Sequence, residues 1–277
     1  MDSLKKLAAI GSVLRPGNCA MAAFATMLGY WISVRYLDFP IGLFFAASST
    51  FAICGAGQAI NDYFDRDVDG KSKKSRPIPS GKLQAREVLG IAIALFMLGI
   101  TLAAYVNASA FGIAVAFSLL LYAYSSRLSR LKYFGNAVVA LATAFTYVMG
   151  AALSGDYYLV SLLASASFFA TWGREIAKDL EDFEADKGKK NTLPMVLGKK
   201  QAVTAARYAT YVAAALGILP FASGLTNRLA YAILVTGSIV LFFVALDQLA
   251  KSKYDKSQRT YKRAMLVALL AYASIIF

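Results

Sequence analysis

Ten of the sixteen acidic residues in this 277-residue chain stand in two short stretches. The first reads Asn61-Asp62-Tyr63-Phe64-Asp65-Arg66-Asp67-Val68-Asp69, and the second runs from Glu175 through Lys178, Asp179, Glu181, Asp182 and Glu184 to Asp186. At ~100° per residue of helix, Asp62, Asp65 and Asp69 share an arc of ~60°, and so do Glu175, Asp179, Asp182 and Asp186. Asp67, Glu181 and Glu184 point elsewhere. Carboxylates aligned on one helix face repel one another, so each stripe requires a compensating cation. The chain has no histidine, which removes the commonest zinc ligand and the usual general base. A site built from carboxylate oxygens alone suits Mg2+, which takes one or two carboxylates and completes its shell with water and substrate phosphates. Asp62, Asp65, Asp69, Glu175, Asp179 and Asp182 are therefore the candidate metal ligands.

Basic residues flank both stripes. Lys73, Lys74 and Arg76 follow the first, and Arg174 and Lys178 lie within the second. A metal with adjacent cations is the apparatus for holding a diphosphate. Charged, solvated helix ends are common at membrane surfaces, and that reading suffices for Lys71, Lys187, Lys189 and Lys190. It does not account for two one-faced carboxylate stripes four apolar runs apart.

The elements that must carry these stripes are membrane helices. Hydrophobic residues make up 58% of the chain and charged residues only 16%, against about a quarter charged in an ordinary soluble domain. The charges are segregated between long apolar runs. The runs predict spans at about 18–37, 40–61, 88–106, 108–124, 135–153, 157–174, 202–221, 229–250 and 262–277. Turn chemistry falls between them at Asp38-Phe39-Pro40, Asn107, Ser154-Gly155-Asp156 and Ser223-Gly224. Residues 2–14 read as a short amphipathic surface helix with Leu4, Leu7 and Leu14 toward lipid. With nine spans, every one of the 29 basic residues except Arg35 and Arg228 falls on the same side as the N-terminus. The positive-inside rule makes that side cytoplasmic and predicts a multi-pass protein with its N-terminus and acidic loops in the cytoplasm. The formal charge of +13 thus has a topological meaning, and a nucleic-acid partner is excluded. Cys19 and Cys54, the two cysteines, lie inside apolar runs and form neither a disulfide framework nor a zinc spacing.

These residues resemble the UbiA superfamily of intramembrane prenyltransferases. Asn61, Asp62, Asp65 and Asp69 match its Asn-Asp-x-x-Asp-x-x-x-Asp motif, and Arg76-Pro77-Ile78-Pro79-Ser80-Gly81 matches its Arg-Pro-Ile-Pro-Ser-Gly sequel. Glu175-x-x-x-Asp179 stands for the second motif, and Thr192-Leu193-Pro194 with Gly198 is similar too. Arg15-Pro16-Gly17-Asn18-Cys19-Ala20, Gly135-Asn136-x-Val138-Val139 and Arg174-Glu175-Ile176-x-Lys178-Asp179 resemble the archaeal digeranylgeranylglyceryl phosphate synthase branch. One departure stands out: where members carry Tyr-x-x-x-Leu-Lys-Arg, this chain has Tyr124-Ser125-Ser126-Arg127-Leu128-Ser129-Arg130, with serine in the lysine position.

The resemblance implies an all-α integral membrane fold, one domain over 1–277, with about nine helices around a central cavity open to the cytoplasmic side and to lipid. It implies Mg2+-dependent transfer of a geranylgeranyl group, in the cell membrane, from its diphosphate to the sn-2 hydroxyl of a lipid-like alcohol, geranylgeranylglyceryl phosphate. In that reaction the carboxylates Asp62, Asp65, Asp69, Asp179 and Asp182 clamp the diphosphate through Mg2+, and Arg76 and Lys178 donate to its oxygens. Tyr63, Tyr122, Tyr124 and Tyr147 are candidates to face the allylic cation. Arg15 and Arg174 are candidates for the acceptor's phosphate, with Asn18 and Asn61 beside the substrates and Arg127, Arg130 and Lys132 as further phosphate ligands. Two superfamily alternatives, an aromatic prenyltransferase acting on a quinone precursor and a haem or chlorophyll prenyltransferase, would share the metal site. A cation transporter would instead place ionisable groups near mid-membrane, where only Asp247 and Arg207 stand. An enzyme transferring an alcohol-linked phosphate from a nucleotide would need a glycine- and arginine-containing acidic signature that the chain lacks.

Overall fold

The computed structural model describes residues 3–72, 74–126, 134–186, 192–222, 224 and 228–277. Among them every regular element is a helix: α1 (Ser3–Leu14), α2 (Pro16–Val34), α3 (Ile41–Phe64), α4 (Arg66–Ser72), α5 (Ala85–Ala104), α6 (Ala108–Ser126), α7 (Phe134–Ser154), α8 (Tyr158–Glu181), α9 (Phe183–Asp186), α10 (Leu193–Leu197), α11 (Lys199–Ala222), α12 (Arg228–Ala250) and α13 (Tyr254–Ala273). Six described helices are long and apolar enough to cross a membrane: α3, α5, α6, α7, α11 and α12. Helices α8 and α13 each spend one end on charged residues. In α5 only 22% of the most apolar stretch is buried, and Ile93, Met97 and Leu98 stand exposed. An apolar helix that turns its large side chains outward is built for lipid, so the chain is an integral membrane protein.

The chain divides into two compact units, the first comprising Met1–Tyr30, Phe39–Ser129 and Met149–Gly155, and the second Trp31–Asp38, Arg130–Val148 and Asp156–Phe277. In the first unit α3 is the central helix. Lipid supplies no hydrophobic drive between helices, so small residues and interhelical hydrogen bonds must hold them. Accordingly, Ser49 on α3 donates to the Gly99 carbonyl on α5 at 2.7 Å, and the Thr26 and Thr50 hydroxyls join α2 to α3 at 2.8 Å. The last turns of α7 lie against α2 so closely that a Cβ on Gly150 would strike the α2 backbone at Thr26 and Tyr30. The surface helix α1 exposes Leu4 and Leu7 as the sequence suggests, but Leu14 turns inward. It packs beside Ala59, Ile60 and Val88, drawn by the cluster that α1 forms with α3 and α5. Lys6 then pairs with Glu87 at the start of α5 at 2.6 Å.

The second unit uses the same devices. Thr210 on α11 meets the Tyr261 hydroxyl on α13 at 2.6 Å, and Tyr231 on α12 donates to the Gly217 carbonyl on α11 at 2.8 Å. Ser238 and Ser257 tie α12 to α13 through the carbonyls of Ala264 and Ala245. The small side chains of Ala170, Ala213 and Gly217 leave a cavity of about 190 Å³ inside this unit, which Tyr147 and Tyr272 also line.

Gly150 gives a test of the close α2–α7 approach. Gly150→Leu should destabilise the folded protein by about 1–3 kcal/mol or more, the usual cost of overpacking. Gly112→Leu, with no neighbour within 4 Å of its added Cβ, should leave the thermal midpoint in detergent close to that of the unaltered chain.

Candidate active site

The first acidic stretch does not lie on one continuous helix. Helix α3 ends at Phe64, Asp65 occupies the joint, and α4 begins at Arg66. The joint keeps the i→i+4 pattern, because the Asp65 amide bonds to the Asn61 carbonyl at 2.9 Å and the Asp69 amide to the Asp65 carbonyl at 2.8 Å. The stripe therefore survives the break, and Asp62 and Asp69 still turn to the same place. Both are almost fully buried, at 5% and 4% exposure. Asp65 accepts from the Asn61 amide at 2.9 Å.

Buried carboxylates need hydrogen-bonded counter-charge, and two arginines distant in sequence supply it. Arg76 places one nitrogen, Nη1, against Asp62 Oδ1 at 3.1 Å and against Asp69 Oδ2 as well. Arg15 donates through Nη2 to the same Asp62 oxygen at 2.8 Å and through Nη1 to Gln58 Oε1. Arg15 is the corner between α1 and α2, with φ of +50°, a left-handed conformation that costs a non-glycine residue about 1 kcal/mol. The Arg15 carbonyl accepts from the Asn18 amide at 2.9 Å to start α2. Asn18's side chain is exposed. Arg66 folds back over Tyr63, with its guanidinium carbon 4.6 Å from the ring centroid.

Within the second unit, Asp179 accepts from the Asn136 amide on α7 at 2.7 Å. Arg174 pairs with its neighbour Glu175 at 2.6 Å, and its buried Nε has no partner among the described residues. Here too the helix stops within the stripe: α8 ends at Glu181, and Asp182 caps it through an amide bond to the Lys178 carbonyl at 2.9 Å. Lys178 is exposed, Tyr124 is half-buried, and Tyr147 lines the cavity of this unit. Arg127, Arg130 and Lys132 lie outside the described residues. Sequence reasoning passed over two partners. Asn136 stands within the Gly135–Val139 motif, which does not by itself mark it as a carboxylate partner. Gln58 lies one helical turn before Asp62, and that spacing was its only signal.

Among the described residues no three carboxylate or cysteine side chains converge closely enough to hold a metal by themselves; the carboxylates of α3 and α4 close on arginines instead. The donor set nevertheless fits Mg2+. Its ligands are all oxygens, and a single cationic nitrogen already bridges Asp62 and Asp69, which marks a point where two buried carboxylates hold one positive charge.

A model of the UbiA prenyltransferase family matches residues 22–270. The chain belongs to this family. It is 37% identical to the digeranylgeranylglyceryl phosphate synthase of Methanococcoides burtonii over 94% of this chain and 96% of that protein. It is 35% identical to the synthase of the same name from Natronomonas pharaonis over 99% and 97%. A solved structure of a digeranylgeranylglyceryl phosphate synthase matches with TM-score 0.89 at 31% identity, covering 98% of this chain and 99% of that one. A UbiA homologue from Archaeoglobus fulgidus bound to GPP and Mg2+ shares the fold, with TM-score 0.75 at 18% identity over 97% and 99% of the two chains.

Arg15→Ala should lower folding stability by about 1–2 kcal/mol, the low range for a hydrogen bond to a charged group, because a third of its side chain (33%) is exposed. Arg15→Lys should recover only part of this, since the single lysine nitrogen does not reproduce the planar two-nitrogen fork that Arg15 lays across Gln58 and Asp62. Equal midpoints for the lysine variant and the unaltered chain in a thermal scan would contradict the fork.

Proposed function

We propose that this chain transfers a geranylgeranyl group from its diphosphate to the sn-2 hydroxyl of geranylgeranylglyceryl phosphate, in the presence of Mg2+. The observation that carries the reading is likeness to synthases of that name over almost the whole chain, together with the buried, arginine-bridged Asp62 and Asp69 of the family motif.

Asp62, Asp65 and Asp69 from the first stretch and Glu175, Asp179 and Asp182 from the second would hold the metal. When bound, Mg2+ supplies the positive charge that makes the diphosphate a good leaving group. Arg76 and Lys178 donate to the diphosphate oxygens, and arginine suits this role because its planar fork matches phosphate oxygens. The allylic C1–O bond breaks, and electron density stays with the diphosphate. The faces of Tyr63, Tyr124 and Tyr147 stabilise the positive charge left on the allylic carbons, and the apolar helices exclude water. The acceptor oxygen then bonds to C1, an electrophile strong enough that no histidine base is required, and loses its proton late, to an oxygen of the departed diphosphate. Arg15 and Arg174 take the acceptor's phosphate, with Arg127, Arg130 and Lys132 as further ligands and Asn18 and Asn61 beside the substrates.

The reading places the chain in the cell membrane as one catalytic domain of nine spans around a cavity that opens to the cytoplasmic side and to lipid. It includes α2, α8 and α13 as spans beyond the six most apolar. The basic loops orient the N-terminus and both acidic stretches to the cytoplasm.

The test is a transfer assay on purified protein in liposomes with geranylgeranyl diphosphate, Mg2+, and either geranylgeranylglyceryl phosphate or 4-hydroxybenzoate. Product is expected only with the glyceryl phosphate and should vanish with EDTA. Asp62→Ala and Asp179→Ala should each lower turnover at least about 100-fold, the scale of losing one electrostatic contact to the transition state. Product with the aromatic acid alone would move the enzyme to the quinone-precursor branch. Unaltered turnover of both folded variants at saturating Mg2+ would remove the metal role from these carboxylates.

A further inference from the structure

Asp62 and Asp69 are both almost fully buried, and charge on buried carboxylates needs a hydrogen-bonded cation beside it. Among the described residues that cation is Arg76, whose Nη1 touches both. The backbone behind Arg76 is fixed. The Ser80 amide bonds to the Arg76 carbonyl at 2.9 Å and the Leu83 amide to the Pro77 carbonyl at 3.1 Å. Gly81 closes the turn at φ +73°, while Leu83 is buried and Ile78 packs on the cluster that holds α1 to α3 and α5. The Arg76 side chain is still 26% exposed. Exchange of the bridging cation therefore requires only a side-chain rotation.

Arg15 is held differently. Its backbone sits in the left-handed corner, and its guanidinium is shared with Gln58. Before the acceptor's phosphate arrives, it stays on Asp62 when Arg76 leaves and limits the repulsion between the two carboxylates during exchange.

We propose that Arg76 is an exchangeable counter-cation: it occupies the Asp62–Asp69 bridge until a diphosphate draws its guanidinium away, so that metal binding there is linked to diphosphate binding. The inference rests on the metal and diphosphate reading given above. Metal and guanidinium compete for the same two oxygens. A diphosphate gives the guanidinium a bidentate partner elsewhere, and linkage makes the effect reciprocal. Diphosphate and metal thus enter together. A metal alone meets a site already neutralised.

The experiment is equilibrium dialysis of the full chain in detergent micelles at fixed free Mn2+, with and without inorganic pyrophosphate. Metal that is lost in Asp62→Asn defines the site. The unaltered chain should hold this Mn2+ only when pyrophosphate is present. Arg76→Gln should bind it without pyrophosphate, about ten- to a hundredfold more tightly than the unaltered chain, the equivalent of one charge-assisted hydrogen bond. The double variant Asp62→Asn/Arg76→Gln should lose that gain. Arg66→Gln, which removes the same charge from a guanidinium lying on Tyr63 rather than on the bridge, should leave Mn2+ binding near that of the unaltered chain. Equal Mn2+ affinity of the unaltered chain with and without pyrophosphate overturns the proposal, whether or not Arg76→Gln folds. So does an Arg76→Gln variant that binds no more tightly, or an Arg66→Gln variant that gains as much. EDTA-sensitive prenyl transfer without this linkage would overturn the exchange and keep the reaction. The linkage without any prenyl transfer would do the reverse.

Discussion

Two carboxylates, Asp62 and Asp69, are carried out of water at the end of an apolar helix, and the surrounding structure is organised by the need to neutralise them. Carboxylates on residues this deeply buried are costly without hydrogen-bonded counter-charge. The corner at Arg15 accepts an unfavourable backbone conformation, and the Arg76–Gly81 turn is bonded and packed in place. Both deliver a guanidinium to the same oxygen of Asp62. Helix α1 is tied to α5 by Lys6 and Glu87 and to the interior by Leu14, which fixes the corner that holds Arg15.

Lipid imposes the complementary constraint. Helices whose large side chains look outward cannot be held together by apolar burial alone, and this chain uses close backbone approach and hydroxyl bonds instead. Gly150 against α2, Ser49 on the Gly99 carbonyl and Tyr261 on Thr210 are instances from both units. The polar chemistry is left to the helix ends, where α3 and α8 both stop inside their carboxylate stripes.

What could be read from sequence was what helical periodicity and residue type carry locally. The stripe spacing predicted that Asp62 and Asp69 face one way, and they do, even though Asp65 breaks the helix between them. Exposure of Leu4 and Leu7 followed from the amphipathic pattern, whereas Leu14 answered to a tertiary cluster that the pattern of α1 cannot contain. The partners of the carboxylates were not legible as partners. Arg15 and Asp62 are 47 residues apart, and Asn136 and Asp179 are 43 apart; periodicity within one element says nothing about which other element will meet it. Arg76 was marked by its motif, yet no sequence rule indicates that one of its nitrogens bridges two aspartates. Its proposed place beside the diphosphate and its observed place between Asp62 and Asp69 are compatible because the same side chain can serve one anion or the other.

The most direct measurement is the anomalous diffraction of Mn2+ in crystals of the chain grown with a non-hydrolysable geranylgeranyl diphosphate analogue. An anomalous peak bonded to Asp62 and Asp69, with the Arg76 guanidinium on the diphosphate oxygens, is the predicted result. A peak away from both carboxylates, with Arg76 still bridging them, would contradict the account.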